Sequence, residues 1–200
     1  MVSGNHEPVL ETQGLSEGGS VETLARTKPP VENPDFQKQR STALAQLEAA
    51  PIDPPMVGLI SGLSKLPYCF TQQSCYGHFL YGDQLDPGNT VRLSPSDATD
   101  SVEYRIAYVA LCIDNCDQGR SLLQDLESLT SIDPDYVQCG CAGWFWQQQV
   151  NSYALQVEPD RFKTRDVAVV KYQEALHVQQ IRDTVLSNLG ELVDLHLRAL

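Results

Sequence analysis

The chain has 200 residues, of which 42% are hydrophobic, and its net charge is −12. This length suits one domain with a proper core and is short for two. The acidic balance argues against a polyanion-binding protein, because affinity for phosphates comes mainly from Lys and Arg. The longest uninterrupted apolar run, Ile106 to Ile113, is too short to span a bilayer. With no secretory signal visible, we expect a cytoplasmic protein that does not associate with membranes.

Residues 1–32 are predicted to form a disordered acidic tail. Gly, Ser, Glu and Thr dominate this segment, and Pro29-Pro30 closes it. Such a composition buries too little apolar surface to offset the entropy lost on ordering. A partner-binding arm is the alternative interpretation. Residues 33–200 are then predicted to form a single α+β domain with a mixed sheet flanked by helices.

Two helices are predicted before the central strand. Asn33-Pro34 offers an N-cap and a first-turn proline for the first helix, which Pro51 ends. Asp53-Pro54 repeats this start signal for a second helix, which carries apolar residues from Met56 to Leu66. Pro67 ends that helix and leads into a strand.

The stretch from Cys69 to Phe79, the central stretch of the chain, has its densest set of reactive groups. Within it lie a hydroxyl, a thiol, a phenol, a glycine and an imidazole: Ser74, Cys75, Tyr76, Gly77 and His78. A Cys75–His78 nucleophile pair would need a lowered thiol pKa and a partner that orients the imidazole. The structural alternative is that Cys75 packs inside and His78 faces a neighbouring strand.

The remaining segments predict alternating strands and helices. A long loop over 81–101 contains the turn Asp86-Pro87-Gly88-Asn89 and is either a lid over the central stretch or a surface excursion. A buried strand over Tyr104–Ile113, a helix over Asp117–Leu129 and strands over Tyr136–Ala142 and Tyr153–Val157 follow. The C-terminal helix has a wide apolar stripe, which indicates core packing or a homodimer contact at its last turns.

The second half of the chain echoes the first. Each half has a helix, a strand and then a Cys-x-Gly-aromatic-Phe sequence, at 75–79 and at 141–145. The echo suggests a pseudo-duplicated helix–strand–strand unit. Its two glycine turns, at Gly77 and Gly143, would meet around one cleft with Trp144 beside them.

Six cysteines and four histidines raise the question of a metal site. Zinc sites usually pair ligands on tight turns. Cys112-x3-Cys116 fits that pattern loosely, whereas Cys139-x-Cys141 lies in strand-like sequence without a turn. We therefore expect reduced, mostly buried thiols and no metal site. The chain also has no glycine-rich phosphate loop.

The sequence FQKQRSTALAQLEAAPIDPPMVGLISGLSKLPYCFTQQSCYGH, from Phe36 to His78, resembles the N-terminal half of the wybutosine-synthesising protein 3 family. That family has a Ser-Cys-Ser-Gly-Arg signature, and this chain has Ser74, Cys75 and Gly77 at matching positions. Tyr76 stands in place of the second serine and His78 in place of the arginine. The later segments follow the family's order in outline.

The resemblance implies an α+β fold and methyl transfer from S-adenosylmethionine to a tricyclic guanosine in tRNA. Carried over by position, it implies a site lined by Ser74, Cys75 and Gly77. For a methyltransferase-like enzyme we predict Ser74, Cys75 and His78 as catalytic residues and Tyr76, Gly77, Gly143 and Trp144 as cofactor-binding residues. The acidic charge disfavours tRNA as a partner, and the local cations Arg161, Lys163, Arg165 and Lys171 are interrupted by two aspartates. The alternative is a non-enzymatic relative that binds a small-molecule ligand or a protein.

Overall fold

A computed structural model describes residues 27–86, 88–96, 99–141, 143–162 and 167–200, without the side chains of residues 143–145. The helices are α1 (Phe36–Leu47), α2 (Val57–Lys65), α3 (Asp117–Ser128), α4 (Gly143–Gln148) and α5 (Tyr172–Arg198). The strands are β1 (Cys69–Cys75), β2 (His78–Leu80), β3 (Ser101–Arg105), β4 (Ala107–Ile113), β5 (Val137–Gly140), β6 (Ser152–Val157) and β7 (Val167–Lys171). Short 3-10 turns lie at Pro54–Met56, Leu129–Ile132 and Asp160–Phe162.

The strands form two antiparallel sheets, which confirms the α+β class. The four-stranded sheet has the order β1-β4-β6-β5, and the three-stranded sheet has the order β2-β3-β7. The expected single mixed sheet is wrong, because every strand pair in the described part of the chain is antiparallel.

One bent ribbon joins the two sheets. Cys75 pairs with Tyr108, and His78 pairs with Arg105 in the same register. Between these pairs the ladder is interrupted at Tyr76-Gly77 on one strand and at Ile106-Ala107 on the other, and a separate register shift lies between Thr71 and Gln73. The strand predicted over Tyr104–Ile113 is therefore two strands, β3 and β4, in different sheets.

The bend depends on a close crossing of the two chains. Gly77 has φ +89°, and a Cβ at this position would lie 2.8 Å from the Ala107 Cβ and 3.1 Å from its backbone nitrogen. The buried Tyr104 hydroxyl accepts a hydrogen bond from the Ala107 backbone N–H (3.0 Å) and donates one to the Val157 carbonyl (2.7 Å). Glycine therefore meets both a steric and a conformational requirement here.

The four-stranded sheet is symmetric in its strand order. The unit α2–β1–β4 and the unit α3–β5–β6 meet at the central β4–β6 pair, which agrees with the suggested duplication. Because all pairs are antiparallel, β1 and β5 run in opposite directions on opposite edges, about 14 Å apart. Gly77 and Gly143 thus lie at opposite corners, and the expected single cleft between them is wrong.

Helix α5 contacts both other core helices, α2 and α3, and both sheets. Its predicted apolar stripe is confirmed, with Ile181, Val185 and Leu189 buried. Helix α1 covers the other face of the four-stranded sheet, where Phe36 packs on Phe70 with ring centroids 5.5 Å apart. The homodimer contact at the last turns of α5 stays a prediction.

The segment before α1 is not a free tail throughout. The Asn151 side chain bonds both the backbone N–H (2.8 Å) and the carbonyl (2.7 Å) of Val31. The Tyr153 hydroxyl donates to the Lys28 carbonyl at 2.9 Å. The tail boundary at residue 32 is therefore wrong for residues 27–32, and residues 1–26 lie outside the described part.

The other differences concern short elements. Strand β7 was not predicted, since its alternating Val167–Lys171 sequence is short and follows the charged 160–166 segment. Gly143 begins a helix instead of forming a turn. None of the six cysteines, all of which are described, forms a disulfide. Among the described helices, none has the length and apolar character that crossing a membrane requires.

Replacing Gly77 with Ala should lower the free energy of unfolding by about 2–4 kcal/mol, because the new methyl group clashes with Ala107 at an unfavourable φ. Urea titration followed by circular dichroism measures this change. Gly82→Ala is the matched control: Gly82 also has a positive φ (+54°), but no atom lies within 4 Å of the added Cβ. Equal losses in the two variants would contradict the close-crossing explanation.

Candidate functional site

The central stretch forms the bend of the ribbon and not a straight strand. Cys75 ends β1, Tyr76 and Gly77 form the bend, and His78 begins β2. Tyr76 and His78 are buried, whereas Cys75 is partly exposed. Successive residues of a strand point to opposite faces, so Ser74, opposite Val109, does not share a face with Cys75. The structure therefore brings Cys75 and His78 to the bend without Ser74.

Asp53, which was not among the predicted site residues, joins Cys75 and His78. It lies just before the 3-10 turn at Pro54–Met56, and its Oδ2 accepts a hydrogen bond from the Tyr76 backbone N–H at 2.7 Å. The same oxygen lies 3.4 Å from His78 Nε2. An Asp53 carboxylate oxygen, Cys75 Sγ and a ring nitrogen of His78 all lie within 4.8 Å of one another.

The His78 ring is oriented from its other side. Its Nδ1 lies 2.7 Å from the Asn89 carbonyl, which can only accept a hydrogen bond, so Nδ1 carries a proton. Asn89 also donates from its side chain to the Phe79 carbonyl at 3.3 Å. The loop residue Asn89 therefore packs on His78 and Phe79, and the choice between a lid and a surface excursion stays open.

The Cys75 thiol is not an activated nucleophile. Burial raises its pKa above the ordinary value, and this outweighs the Gly77 backbone hydrogen bond and the cations of Arg105 and Arg182, which lower it. At neutral pH the sulfur is protonated, so the geometry does not favour the Cys75–His78 nucleophile pair.

A buried guanidinium holds the bend. Arg182 of α5 is only 1% exposed, and it donates to the Gly77 carbonyl (2.9 Å) and to the Tyr76 hydroxyl (3.0 Å). Its Cζ lies 3.9 Å from the Tyr76 ring centroid. Asp183 supplies the counter-charge at 2.9 Å. A cation on the buried stripe of α5, four residues after Val178, is the sequence signal that could have identified it.

Asp183 connects the bend to a cavity of about 730 Å³. The Tyr76 hydroxyl, whose pKa burial raises, donates to Asp183 Oδ1 at 3.3 Å. On its other oxygen Asp183 pairs with Arg92 at 2.5 Å. The cavity lies between the 92–95 segment and α5, and its polar lining includes Arg92, Gln179, Gln180, Asp183, Thr184, Ser187 and Asn188.

The cavity wall from the 81–101 loop is fixed by side chains of α5. Gln179 accepts from the Leu93 backbone N–H at 2.7 Å and donates to the Leu93 carbonyl at 3.2 Å. The Tyr172 hydroxyl donates to the Ser94 carbonyl at 2.8 Å. Residues 91–93 form no strand, because these side chains satisfy the backbone groups that a neighbouring strand would otherwise pair.

The other predicted binding residues lie elsewhere. Gly143 is at the far corner of the four-stranded sheet, and the Trp144 side chain lies outside the described part of the chain. Of the predicted set, Cys75, Tyr76, Gly77 and His78 therefore form one site. Asp53, Arg182 and Asp183 complete it from distant parts of the sequence.

No family model matches the chain, and no curated protein matches it. Its fold is similar to a solved structure of the PH1069 protein from Pyrococcus horikoshii, with a TM-score of 0.52 at 11% identity over 81% of this chain and 95% of that chain. A second structure of PH1069, from Pyrococcus horikoshii OT3, has a TM-score of 0.48 at 12% identity over 82% and 96%. The first similarity supports the fold and says nothing about the reaction.

Replacing Arg182 with Lys should lower the free energy of unfolding by about 1–3 kcal/mol. Lysine keeps the charge but cannot reach the Gly77 carbonyl and the Tyr76 hydroxyl together while stacking on the ring. Arg198→Lys, at an exposed position of the same helix, is the control and should change stability by less than about 0.5 kcal/mol. If the two variants unfold at the same urea concentration, the guanidinium contacts do not hold the bend.

Proposed function

We propose that this protein is an S-adenosylmethionine-dependent methyltransferase, a divergent relative of the wybutosine-synthesising protein 3 family. The observation that carries the proposal is the 730 Å³ cavity that Asp183 connects to the Tyr76-Gly77-His78 bend. The residues that resemble the family signature, Ser74 to His78, lead into and form this bend, which supports the proposal. A cavity of this size is in the range that nucleoside-sized ligands occupy.

The cavity lining suits the chemical groups of S-adenosylmethionine. The Arg92 guanidinium, about 62% exposed, is available for the carboxylate of the amino acid part. The Asp183 carboxylate would accept from the ammonium group or the ribose hydroxyls. The Gln180 and Asn188 amides provide donors and acceptors for a base edge, and Leu93 and Leu176 provide apolar contact.

Methyl transfer requires little acid–base chemistry from the protein. The methyl group moves from a sulfonium to an acceptor atom in line, so the main requirement is that donor and acceptor are held in position. This fits a bend where the thiol is protonated and His78 has hydrogen-bonding or ionic partners at both ring nitrogens. Cys75 and His78 would then position the acceptor without forming a covalent intermediate.

His78 stands where the family signature has its arginine. In this chain a guanidinium reaches the bend from a different residue, Arg182. Arg182 is buried and bonded to protein atoms, so it would hold the bend while Arg92 contacts the ligand. The acceptor implied by the resemblance is a modified guanosine in tRNA, but the net charge of −12 weakens contacts with a polyanion. A small nucleoside-like acceptor is therefore the better candidate.

The same groups favour a second function, a ligand-binding protein without catalysis. Cys75 is protonated, and both nitrogens of His78 are already partnered. The cavity would then bind its ligand for regulation or storage. Binding alone does not separate these functions, so the test has two stages.

Calorimetric titration with S-adenosylmethionine should give one binding site per chain. Arg92→Ala and Asp183→Asn should each weaken binding at least about tenfold, because each removes a charged partner of the zwitterionic ligand. Arg198→Ala, which removes an exposed cation outside the cavity, should bind like the unchanged protein. No heat up to millimolar ligand would rule out the methyltransferase.

The second stage measures transfer of a labelled methyl group to tRNA and, separately, to guanosine-type nucleosides. We expect label in the nucleoside fraction. Label in tRNA alone would show that the polyanion is bound despite the acidic charge. Binding without transfer to either acceptor would identify the non-catalytic relative.

A further inference from the structure

We propose that Asp53, Cys75 and His78 form a binding site for a divalent transition metal ion of the zinc class. Among the described residues, this is the one group of three or more His, Cys, Asp or Glu side chains whose ligand atoms lie within 4.8 Å of one another. This group differs from the cysteine pairs at 112/116 and 139/141, because its ligands come from segments more than twenty residues apart. The proposal does not require methyl transfer, but it uses the same Cys75 and His78 side chains, and an ion bound there would displace the thiol proton.

The His78 ring is oriented as a metal ligand would be. The Asn89 carbonyl accepts a hydrogen bond from Nδ1, so Nε2 is the nitrogen that faces Asp53 Oδ2, at 3.4 Å. A cation shared by these two atoms, either a metal ion or a proton on Nε2, would bind both. An imidazole that donates from one nitrogen to a carbonyl and offers the other to a metal is the usual arrangement at metal-bound histidines.

The other two ligands are oriented in a similar way. The Tyr76 backbone N–H bonds Asp53 Oδ2 at 2.7 Å and fixes the carboxylate beside the ring. Cys75 is held at the end of β1 by the close crossing at Gly77, and a hydrogen bond from the Gly77 backbone reaches its sulfur. Three ligands from two separate segments are thus positioned by backbone contacts before any ion binds.

The donor set selects the class of metal. One sulfur, one nitrogen and one carboxylate oxygen suit zinc and its neighbours, whereas magnesium and calcium prefer oxygen ligands alone. A thiolate and a carboxylate together neutralise a divalent ion. The nearest cations each have an acidic partner, since Arg182 pairs with Asp183 at 2.9 Å and Arg105 lies 3.7 Å from Glu103.

Three protein ligands leave one coordination position of a tetrahedrally coordinated ion open. Structural zinc sites fill all four positions with protein atoms, whereas catalytic sites keep one for water or a ligand. The Asp53 and Cys75 side chains are partly exposed while His78 is buried, so the open position would face the solvent side of the bend. A ligand with an oxygen or nitrogen donor would bind there.

The test is titration of the metal-free full-length chain with Co²⁺ and then Zn²⁺, without S-adenosylmethionine. We expect one ion per chain and a thiolate-to-cobalt charge-transfer band that Zn²⁺ removes. Cys75→Ser should abolish this band. His78→Ala should weaken Co²⁺ binding by more than about 100-fold. Loss of a residue that only hydrogen-bonds a metal ligand already lowers metal affinity by about 10–100-fold, and His78 would be a ligand itself.

Two controls separate a lost ligand from a damaged fold. Asp53→Asn keeps an acceptor for the Tyr76 N–H but loses the charge, so it should fold normally and bind Co²⁺ more weakly. Cys116→Ser replaces a partly exposed thiol that caps α3, and serine keeps the cap, so its spectrum should match that of the unchanged chain.

Three results would overturn the proposal. The first is no charge-transfer band at a several-fold excess of Co²⁺, which would mean that His78 and Asp53 form an ion pair only. The second is a band that survives Cys75→Ser. The third is a band that Cys116→Ser removes, which would place the thiolate ligand elsewhere.

Discussion

The crossing of Gly77 over Ala107 is the constraint on which the rest of the structure depends. At this point two paired strands approach so closely that a single methyl group would clash, and the ribbon turns from the four-stranded sheet into the three-stranded one. The backbone amides of Tyr76 and Gly77 leave the ladder and contact Asp53 and Cys75 instead. One steric requirement therefore creates both the two-sheet layout and the polar site at the bend.

A buried charge links that bend to the cavity. The Arg182 guanidinium has to find partners because it is removed from water, and it finds them in the Gly77 carbonyl, the Tyr76 hydroxyl and Asp183. Asp183 then lies between Tyr76 and Arg92, at the cavity wall. A ligand that pairs with Arg92 or Asp183 would change the electrostatic partners of the bend. The cavity and the bend should therefore respond as one unit.

Local sequence patterns predicted the elements whose signals are local. Helices α2, α3 and α5 follow from their apolar periodicity and start signals, and β1 and β6 from β-rich sequence bounded by proline. The break at Ile106 was missed because no Gly or Pro marks the boundary between Tyr104-Arg105 and the apolar run that begins at Ile106. The role of Arg182 depends on tertiary contact with residues about a hundred positions away. Asp53 was interpreted as a start signal for a helix, whereas its carboxylate contacts Tyr76. The methyl donor, the cytoplasmic location and the homodimer stay predictions.

Hydrogen–deuterium exchange of the full-length chain, with and without S-adenosylmethionine, tests the central claim most directly. If the cavity and the bend are one site, the ligand should slow exchange at the amides of 91–94 and of Tyr76 to His78 together, and Arg92→Ala should reduce both effects. Protection confined to another part of the chain, or no change in either segment, would contradict the account.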